Sequence, residues 1–112
     1  MSDTAMIFVY LTAGSPDEAR RIGRALVTER LAACVNLIDG MVSIYRWQDT
    51  IEEARETVVI AKTRADLFEA LSARVRALHS YSTPCIVELP AGRIDASYLA
   101  WLVAETAVPK LT

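Results

Sequence analysis

The chain has 112 residues, 53% of them hydrophobic, and a formal net charge of −2. This length predicts one domain over residues 1–112, and the slightly negative charge argues against nucleic acid as a main partner, because phosphate recognition usually needs a basic surface. The mean hydropathy of +0.25 is high, yet no run reaches the ~18 apolar residues of a membrane span. We therefore expect no membrane partner, and a subunit interface that buries the apolar excess.

The N-terminal residues and the cysteines indicate the compartment. The first residues lack the positive segment and the long apolar stretch of a secretory signal, so the prediction is a cytoplasmic protein. The two cysteines, Cys34 and Cys85, form no Cys-x-x-Cys pair. This spacing excludes a structural zinc site within one chain, and a reducing compartment disfavours a disulfide.

The first half of the chain predicts a strand followed by a helix. Residues 6–12 form a continuous β-prone run, as in a strand buried on both faces. Ser15 is then predicted as an N-cap, with Pro16 at the first helical position and Glu18 completing a capping box. The helix is expected to end at about Arg30.

A long hairpin is predicted next. Its first strand covers residues 33–38 and 41–47, with a bend or bulge at Asp39-Gly40, and its second strand covers residues 51–62. Residues 48–50 are typical of a hairpin turn. Strands of this length expose edges, and exposed edges favour pairing with another chain.

The second half completes the fold class. Thr63 with Asp66 predicts an N-cap for a helix over residues 64–78, followed by a strand over 85–89 and a last helix over about 96–107. The element order is β-α-β-β-α-β plus a C-terminal helix. We therefore predict an α+β, ferredoxin-like fold with an antiparallel sheet, whose helices leave one sheet face in need of a cover.

Three residues are candidates for metal chemistry. His79, the only histidine, lies in a predicted loop and is either a ligand or general base, or a loop histidine bonded to backbone. Cys85 follows that loop and is either a soft-metal partner of His79 or a buried structural cysteine. Cys34 lies within a strand, where a small apolar core residue is the simpler interpretation.

The hairpin carries aromatic and acidic residues near its turn. Next to the turn lies a cluster of Tyr45, Arg46 and Trp47. Aromatic and arginine side chains at a protruding tip are typical of contact anchors between proteins, although packing across the two strands of the hairpin is the alternative. Strand alternation places Glu52 and Glu56 on one face and Glu53 on the other. This set is either a weak site for hard cations or a solubilising edge.

Five short motifs occur in this order along the chain: Leu31-Ala-Ala-Cys-Val-Asn36, Ser43-Ile-Tyr-Arg-Trp-Gln48, Lys62-Thr63, His79-x-Tyr81-x-x-Pro84 and Tyr98-Leu-x-Trp101. Together they resemble the CutA family over about residues 6–107. The resemblance implies a ferredoxin-like homotrimer with a role in divalent-cation tolerance, and some members of the family bind copper(II). The architecture is also similar to that of PII signal proteins, which bind nucleotides in clefts between subunits.

The resemblance also implies where sites lie. The candidate ligands for copper(II) or another divalent ion are His79, Cys34 and Cys85, of which Cys34 matches a cysteine that is associated with metal in the family. The subunit clefts or interfaces would be lined by Tyr45, Arg46, Trp47, Lys62, Tyr81, Pro84 and Trp101. Two positions depart from the family pattern, since Ser80 replaces a proline and Cys85 a glutamate, and a thiol favours softer metals. The alternative function is a PII-like sensor with no direct metal role, in which Lys62, Arg46 and Trp47 meet an anionic or aromatic ligand. We expect no required cofactor and no enzyme activity, because no nucleophile, base and orienting group stand out together.

Overall fold

The fold was taken from a computed structural model that describes residues 5–107. It contains four strands, three α-helices and one short 3₁₀ turn in this order: β1 (Met6–Ala13), α1 (Pro16–Thr28), β2 (Cys34–Trp47), β3 (Thr50–Arg64), the 3₁₀ turn (Ala65–Leu67), α2 (Phe68–Leu78), β4 (Ile86–Pro90) and α3 (Ala96–Glu105). Among the described residues, none of the helices combines the length and the apolar character that crossing a bilayer requires.

The strands form one sheet in the order β2-β3-β1-β4. All three neighbouring pairs are antiparallel. This arrangement confirms the predicted α+β class, the antiparallel sheet and the long β2–β3 hairpin.

One face of the sheet, called here the closed face, carries the main core. Ile7, Val9 and Leu11 alternate along β1 and pack with buried residues of α1 and α2. Gly23 allows α1 to approach closely, because a Cβ at this position would lie 3.1 Å from Cγ1 of Val35. The core therefore lies between the closed face and these two helices.

The opposite face, called here the open face, is covered only at one end. There Met6, Ala33 and Leu102 form a small buried cluster that brings α3 against the sheet. Beyond α3, apolar side chains such as Val87 and Leu89 remain exposed. The predicted need for a cover on this face is thus met by α3 only in part.

A bulge in β2 controls which side chains the hairpin presents to the open face. Ile38 pairs with Val58 but Met41 pairs with Glu56, so β2 carries one extra residue at the predicted bend, where Gly40 has φ +79°. The extra residue switches the alternation. Even-numbered residues of β2 face the open side before the bulge, and odd-numbered residues do so after it.

The turn of the hairpin and the start of α2 differ in how well local sequence predicted them. Gln48 and Asp49 both have positive φ, at 49° and 64°, as a two-residue type I′ turn requires. The predicted cap by Thr63 and Asp66 is wrong. Thr63 is still part of β3 and its hydroxyl donates a 2.6 Å hydrogen bond to the carbonyl of Leu31, while Asp66 accepts from Arg64.

The helix bounds shift accordingly. α2 begins at Phe68 without a side-chain cap, after the 3₁₀ turn, because the buried end of β3 continues to Arg64. Helices α1 and α3 end at Thr28 and Glu105, about two residues earlier than expected.

Candidate functional site

A cavity of about 600 Å³ extends along the hairpin on the open face. Its walls combine four aromatic residues, two carboxylates, four hydroxyl groups and one thiol. They are Tyr10, Tyr45, Trp47 and Tyr81, Glu52 and Glu56, Thr12, Ser43, Ser82 and Thr83, and Cys85. Within the described residues the lining carries no Lys, Arg or His, so the cavity is acidic and aromatic.

The bulge of β2 explains how the hairpin contributes to this cavity. Because the alternation switches at Gly40, Ser43 and Tyr45 face the same side as their partners on β3, and Tyr45 pairs directly with Glu52. Glu52 and Glu56 share this side, as the alternation in sequence predicted. Arg46 lies on the opposite face, away from the cavity.

Glu56 is the most strongly hydrogen-bonded group in the cavity. Its Oε1 accepts a 2.6 Å hydrogen bond from the hydroxyl of Ser43, and its Oε2 accepts a 2.8 Å hydrogen bond from the hydroxyl of Tyr81. Burial and the neighbouring Glu56 raise the pKa of Tyr81 to about 12. Burial, followed by the charge of Glu56, also raises the pKa of Cys85. The thiol is therefore protonated at neutral pH and is not an activated nucleophile.

His79 lies behind the cavity with its side chain fully buried. Its Nε2 lies 2.7 Å from the carbonyl oxygen of Thr12, and its Nδ1 lies 3.0 Å from the amide nitrogen of Tyr81. Since a carbonyl only accepts and an amide N–H only donates, these contacts assign the donor role to Nε2 and the acceptor role to Nδ1. Both nitrogens are thus occupied by backbone, and His79 holds Tyr81 in place.

Glu18 ties the same loop to the start of α1. The N–H of Glu18 donates to the hydroxyl of Ser15, which confirms Ser15 as the N-cap. The Glu18 carboxylate, however, accepts from the amides of Gly14 (3.2 Å) and Ser80 (2.7 Å) instead of closing the predicted box on Ser15. Burial acts to raise the pKa of Glu18, but the hydrogen bonds from Ser80 and Gly14 outweigh it and hold that pKa below its usual value.

The three residues predicted to hold metal do not come together within one chain. Cys34 begins β2 and pairs with Lys62, whereas Cys85 precedes β4, and these are the two edge strands of the sheet. Three strand spacings of about 4.8 Å separate them by at least ~14 Å. Two sulfurs on one zinc ion lie within about 5 Å of each other. Among the described residues no group of three or more His, Cys, Asp or Glu is placed to hold a metal ion.

The predicted cleft residues fall into two groups. Tyr45, Trp47 and Tyr81 line the cavity, and Pro84 precedes Cys85 at its rim. Lys62 lies at the other end of the open face, where its Nζ is 3.3 Å from the hydroxyl of Tyr98, whose ring stacks on Trp101 at 5.8 Å. Lys62 lies six positions after Glu56 along β3, a distance of about 20 Å.

Sequence reasoning missed five cavity residues, which are Tyr10, Thr12, Ser43, Ser82 and Thr83. Tyr10 reaches the cavity from β1, where its hydroxyl donates to the sulfur of Met41, and Ser43 reaches it from β2. Ser43 could have been found from the sequence, because the predicted bulge and the alternation along the strands together place it on the same face as Glu52 and Glu56. No local signal marked Tyr10, because its role depends on strand order.

Comparison with known proteins places this geometry in context. The profile of a family described as CutA1 divalent ion tolerance protein matches residues 7–105. The divalent-cation tolerance protein CutA of Thermus thermophilus is 47% identical over 98 residues, which cover 88% of this chain and 95% of that protein.

Solved structures of similar proteins share the fold. The Thermus thermophilus divalent cation tolerance protein superposes with a TM-score of 0.89 at 45% identity, covering 91% of this chain and 99% of that one. CutA1 from Oryza sativa superposes with a TM-score of 0.91 at 36% identity, covering 95% and 98%. A structure described as the periplasmic divalent cation tolerance protein CutA from Archaeoglobus fulgidus has a TM-score of 0.87 at 40% identity, covering 89% and 97%.

Proposed function

Since this chain belongs to the CutA1 divalent ion tolerance protein family, we propose that it serves divalent-cation tolerance as a homotrimer that binds a divalent metal in the clefts between its subunits. The observation that carries the proposal is the acidic cavity on the open face. In this proposal the chain is a binding protein and not an enzyme. The fully engaged ring of His79 and the protonated thiol of Cys85 support that view.

The open face supports assembly with further copies of the same chain. Its apolar residues Val87 and Leu89 lie beside the cavity's strands and are nearly half exposed, and Trp47 on the hairpin is 53% exposed. Exposed apolar patches of this kind favour association. Three copies follow from the family resemblance, and the mean hydropathy of the chain fits this burial.

The cavity supplies part of a metal-ligand set. Glu52, Glu56 and Cys85 offer carboxylate and thiol donors, a combination that zinc and copper accept. One chain does not complete the set, because the described residues contain no group of three such ligands at metal distance. We therefore place the metal between this cavity and a neighbouring subunit.

Metal titration with paired cysteine variants tests the proposal. We expect zinc and copper(II) binding, measured by calorimetry, to weaken at least about tenfold in Cys85→Ser and in Glu56→Gln, because each loses a donor in the cavity. Cys34→Ser is the matched control, since Cys34 lies on the opposite edge strand, and should bind as the wild type does. Equal weakening in all three variants, or no binding by the wild type, would reject the metal site.

The pH dependence of that titration is a second readout. Because burial and Glu56 raise the pKa of Cys85 and a metal binds the thiolate, binding must release a proton. Apparent affinity should therefore increase as pH rises above neutrality. An affinity that stays flat over this range would exclude Cys85 as a ligand.

A second candidate is small-molecule sensing of the PII-like kind, which the size of the cavity favours. A volume of about 600 Å³ lies within the usual range of small-molecule pockets. Lys62 and Arg46, predicted to meet an anionic ligand, do not line this cavity. We propose the cytoplasm as the compartment, whereas the Archaeoglobus fulgidus relative is described as periplasmic.

A further inference from the structure

The aromatic side chains of the cavity come from three separate parts of the chain. Tyr10 lies on β1, Tyr45 and Trp47 lie on β2, and Tyr81 lies in the loop before β4. Aromatic rings present a partial negative charge on their faces, and rings that converge on one space favour a cation with weakly hydrated, apolar substituents.

The charges of the cavity select the same class of ligand. Glu52 and Glu56 both line it, and within residues 5–107 neither forms an ion pair with Lys or Arg. An anionic ligand is therefore disfavoured, and a cation gains from two carboxylates without a competing cationic side chain.

We propose that this cavity is an aromatic cage that binds a small organic ammonium ion, methylated at nitrogen, with the faces of Tyr45, Trp47 and Tyr81 around the cation and Glu52 and Glu56 opposite it. The proposal deepens the second candidate function, because it names the ligand class of that sensing site. An ammonium ion of this kind needs ring faces and diffuse negative charge. It does not need the three or more converging ligands of a metal site, and residues 5–107 contain no such group of His, Cys, Asp or Glu.

The hydrogen bonds of Glu56 suit a carboxylate that attracts the cation by its charge alone. Both of its oxygens already accept hydrogen bonds, from Ser43 and from Tyr81. These two hydrogen bonds fix the orientation of the carboxylate, which suits long-range attraction of a cation. Glu52 lies nearer the hairpin tip, opposite Tyr45 in the register, and supplies the second charge beside the rings.

Calorimetric titration of the purified full chain with choline tests the cage. The matched ligand is the neutral alcohol in which carbon replaces the quaternary nitrogen, so shape is kept and charge is lost. We expect choline to bind and the neutral alcohol to bind at least about tenfold more weakly. Absence of choline binding, or equal binding of the two, would overturn the proposal.

Two pairs of variants assign the binding to this cavity. Trp47→Leu should weaken choline binding about tenfold, whereas Trp101→Leu, at the other end of the open face, should leave it unchanged. Glu52→Gln should weaken it by severalfold, and Glu53→Gln, on the opposite face of the same strand, should not. If Trp47→Leu changes the oligomeric state, the comparison of choline binding by Glu52→Gln and Glu53→Gln tests the site in its place. Equal effects within either pair would contradict the site.

Zinc titration of the same samples separates this proposal from the metal proposal. Choline binding without zinc binding keeps the cage and removes the metal site. Zinc binding without choline binding overturns the cage and leaves the divalent-cation function intact. Zinc that displaces choline supports one shared acidic cavity.

Discussion

The two faces of the sheet are built from the same strands and similar residues, yet the chain treats them differently. On the closed face Val9, Val59 and Ala61 are fully buried beneath α1 and α2. On the open face Val87 and Leu89 remain nearly half exposed. The difference shows that apolar content alone does not tell which surface a chain buries within its own fold and which it leaves exposed.

The closed face should show the largest effect on stability. Leu26, fully buried between α1 and the sheet, is the chosen position. Leu26→Ala should lower the free energy of unfolding by about 2–5 kcal/mol, because it removes buried methyl groups and leaves a cavity. Urea denaturation measures this change. A loss below about 1 kcal/mol would break the comparison, since it would mean that this face is not the core.

A charge introduced on the open face should disrupt the assembly without unfolding the chain. Leu89→Asp should convert a particle of three times the 12.3 kDa chain mass into a monomer with the same far-UV circular dichroism. Light scattering after gel filtration measures the mass. The control is Val27→Asp, an equally exposed valine on α1, which should keep the wild-type mass. A dissociated control would mean that any added charge disrupts the assembly.

The loop behind the cavity should contribute an intermediate amount to stability. In Glu18→Gln one of the two carboxylate oxygens becomes an amide that no longer accepts a hydrogen bond, so the amide of Gly14 or Ser80 loses its partner. We expect a loss of about 1–3 kcal/mol at neutral pH. Urea denaturation again measures it, and a variant as stable as the wild type would show that this carboxylate does not hold the loop.

The pH dependence of the same variant sharpens that test. Glu18 has a folded-state pKa below its ordinary value of 4.5. Its stabilisation is therefore present above about pH 4.5 and is lost as pH falls through the folded-state pKa. The stability difference between wild type and Glu18→Gln should shrink in that acid range. A difference that grows with acidification would give the opposite sign and contradict the assignment.

The smallest effect should come from the rim of the cavity. Tyr81→Phe removes a 2.8 Å hydrogen bond to Glu56 at a partly exposed position, so we expect a loss of about 0.5–1.5 kcal/mol. Ser43→Ala, which removes the other hydrogen bond to Glu56, is the matched variant. Chemical denaturation of both should give similar values. A loss above about 3 kcal/mol for either variant would contradict this expectation, because it would mean that the hydrogen bonds of Glu56 lie in the core and not at the rim of the cavity.

Sequence reasoning succeeded where the pattern is local. The alternation of Glu52 and Glu56, the bulge at Gly40 and the N-cap at Ser15 are set by neighbours within a few residues, and the structure has each of them. The alternation of side chains along β3 was therefore enough to place both carboxylates on one face of the sheet.

It did not succeed where distant segments meet. His79 is fixed by the carbonyl of Thr12, 67 residues earlier in the chain, and Thr63 by the carbonyl of Leu31. A helix cap and a strand end look alike in sequence around Thr63, and tertiary packing decides between them. For the same reason the sequence did not show that both nitrogens of His79 are occupied.

The central claim is that the open face joins copies of this chain around its acidic cavities. Native mass spectrometry of the wild-type chain, with and without added zinc, tests it most directly. The account predicts a particle of three times 12.3 kDa that gains about one zinc ion per chain. A 12.3 kDa monomer in both samples would contradict it, because the open face would then have no partner.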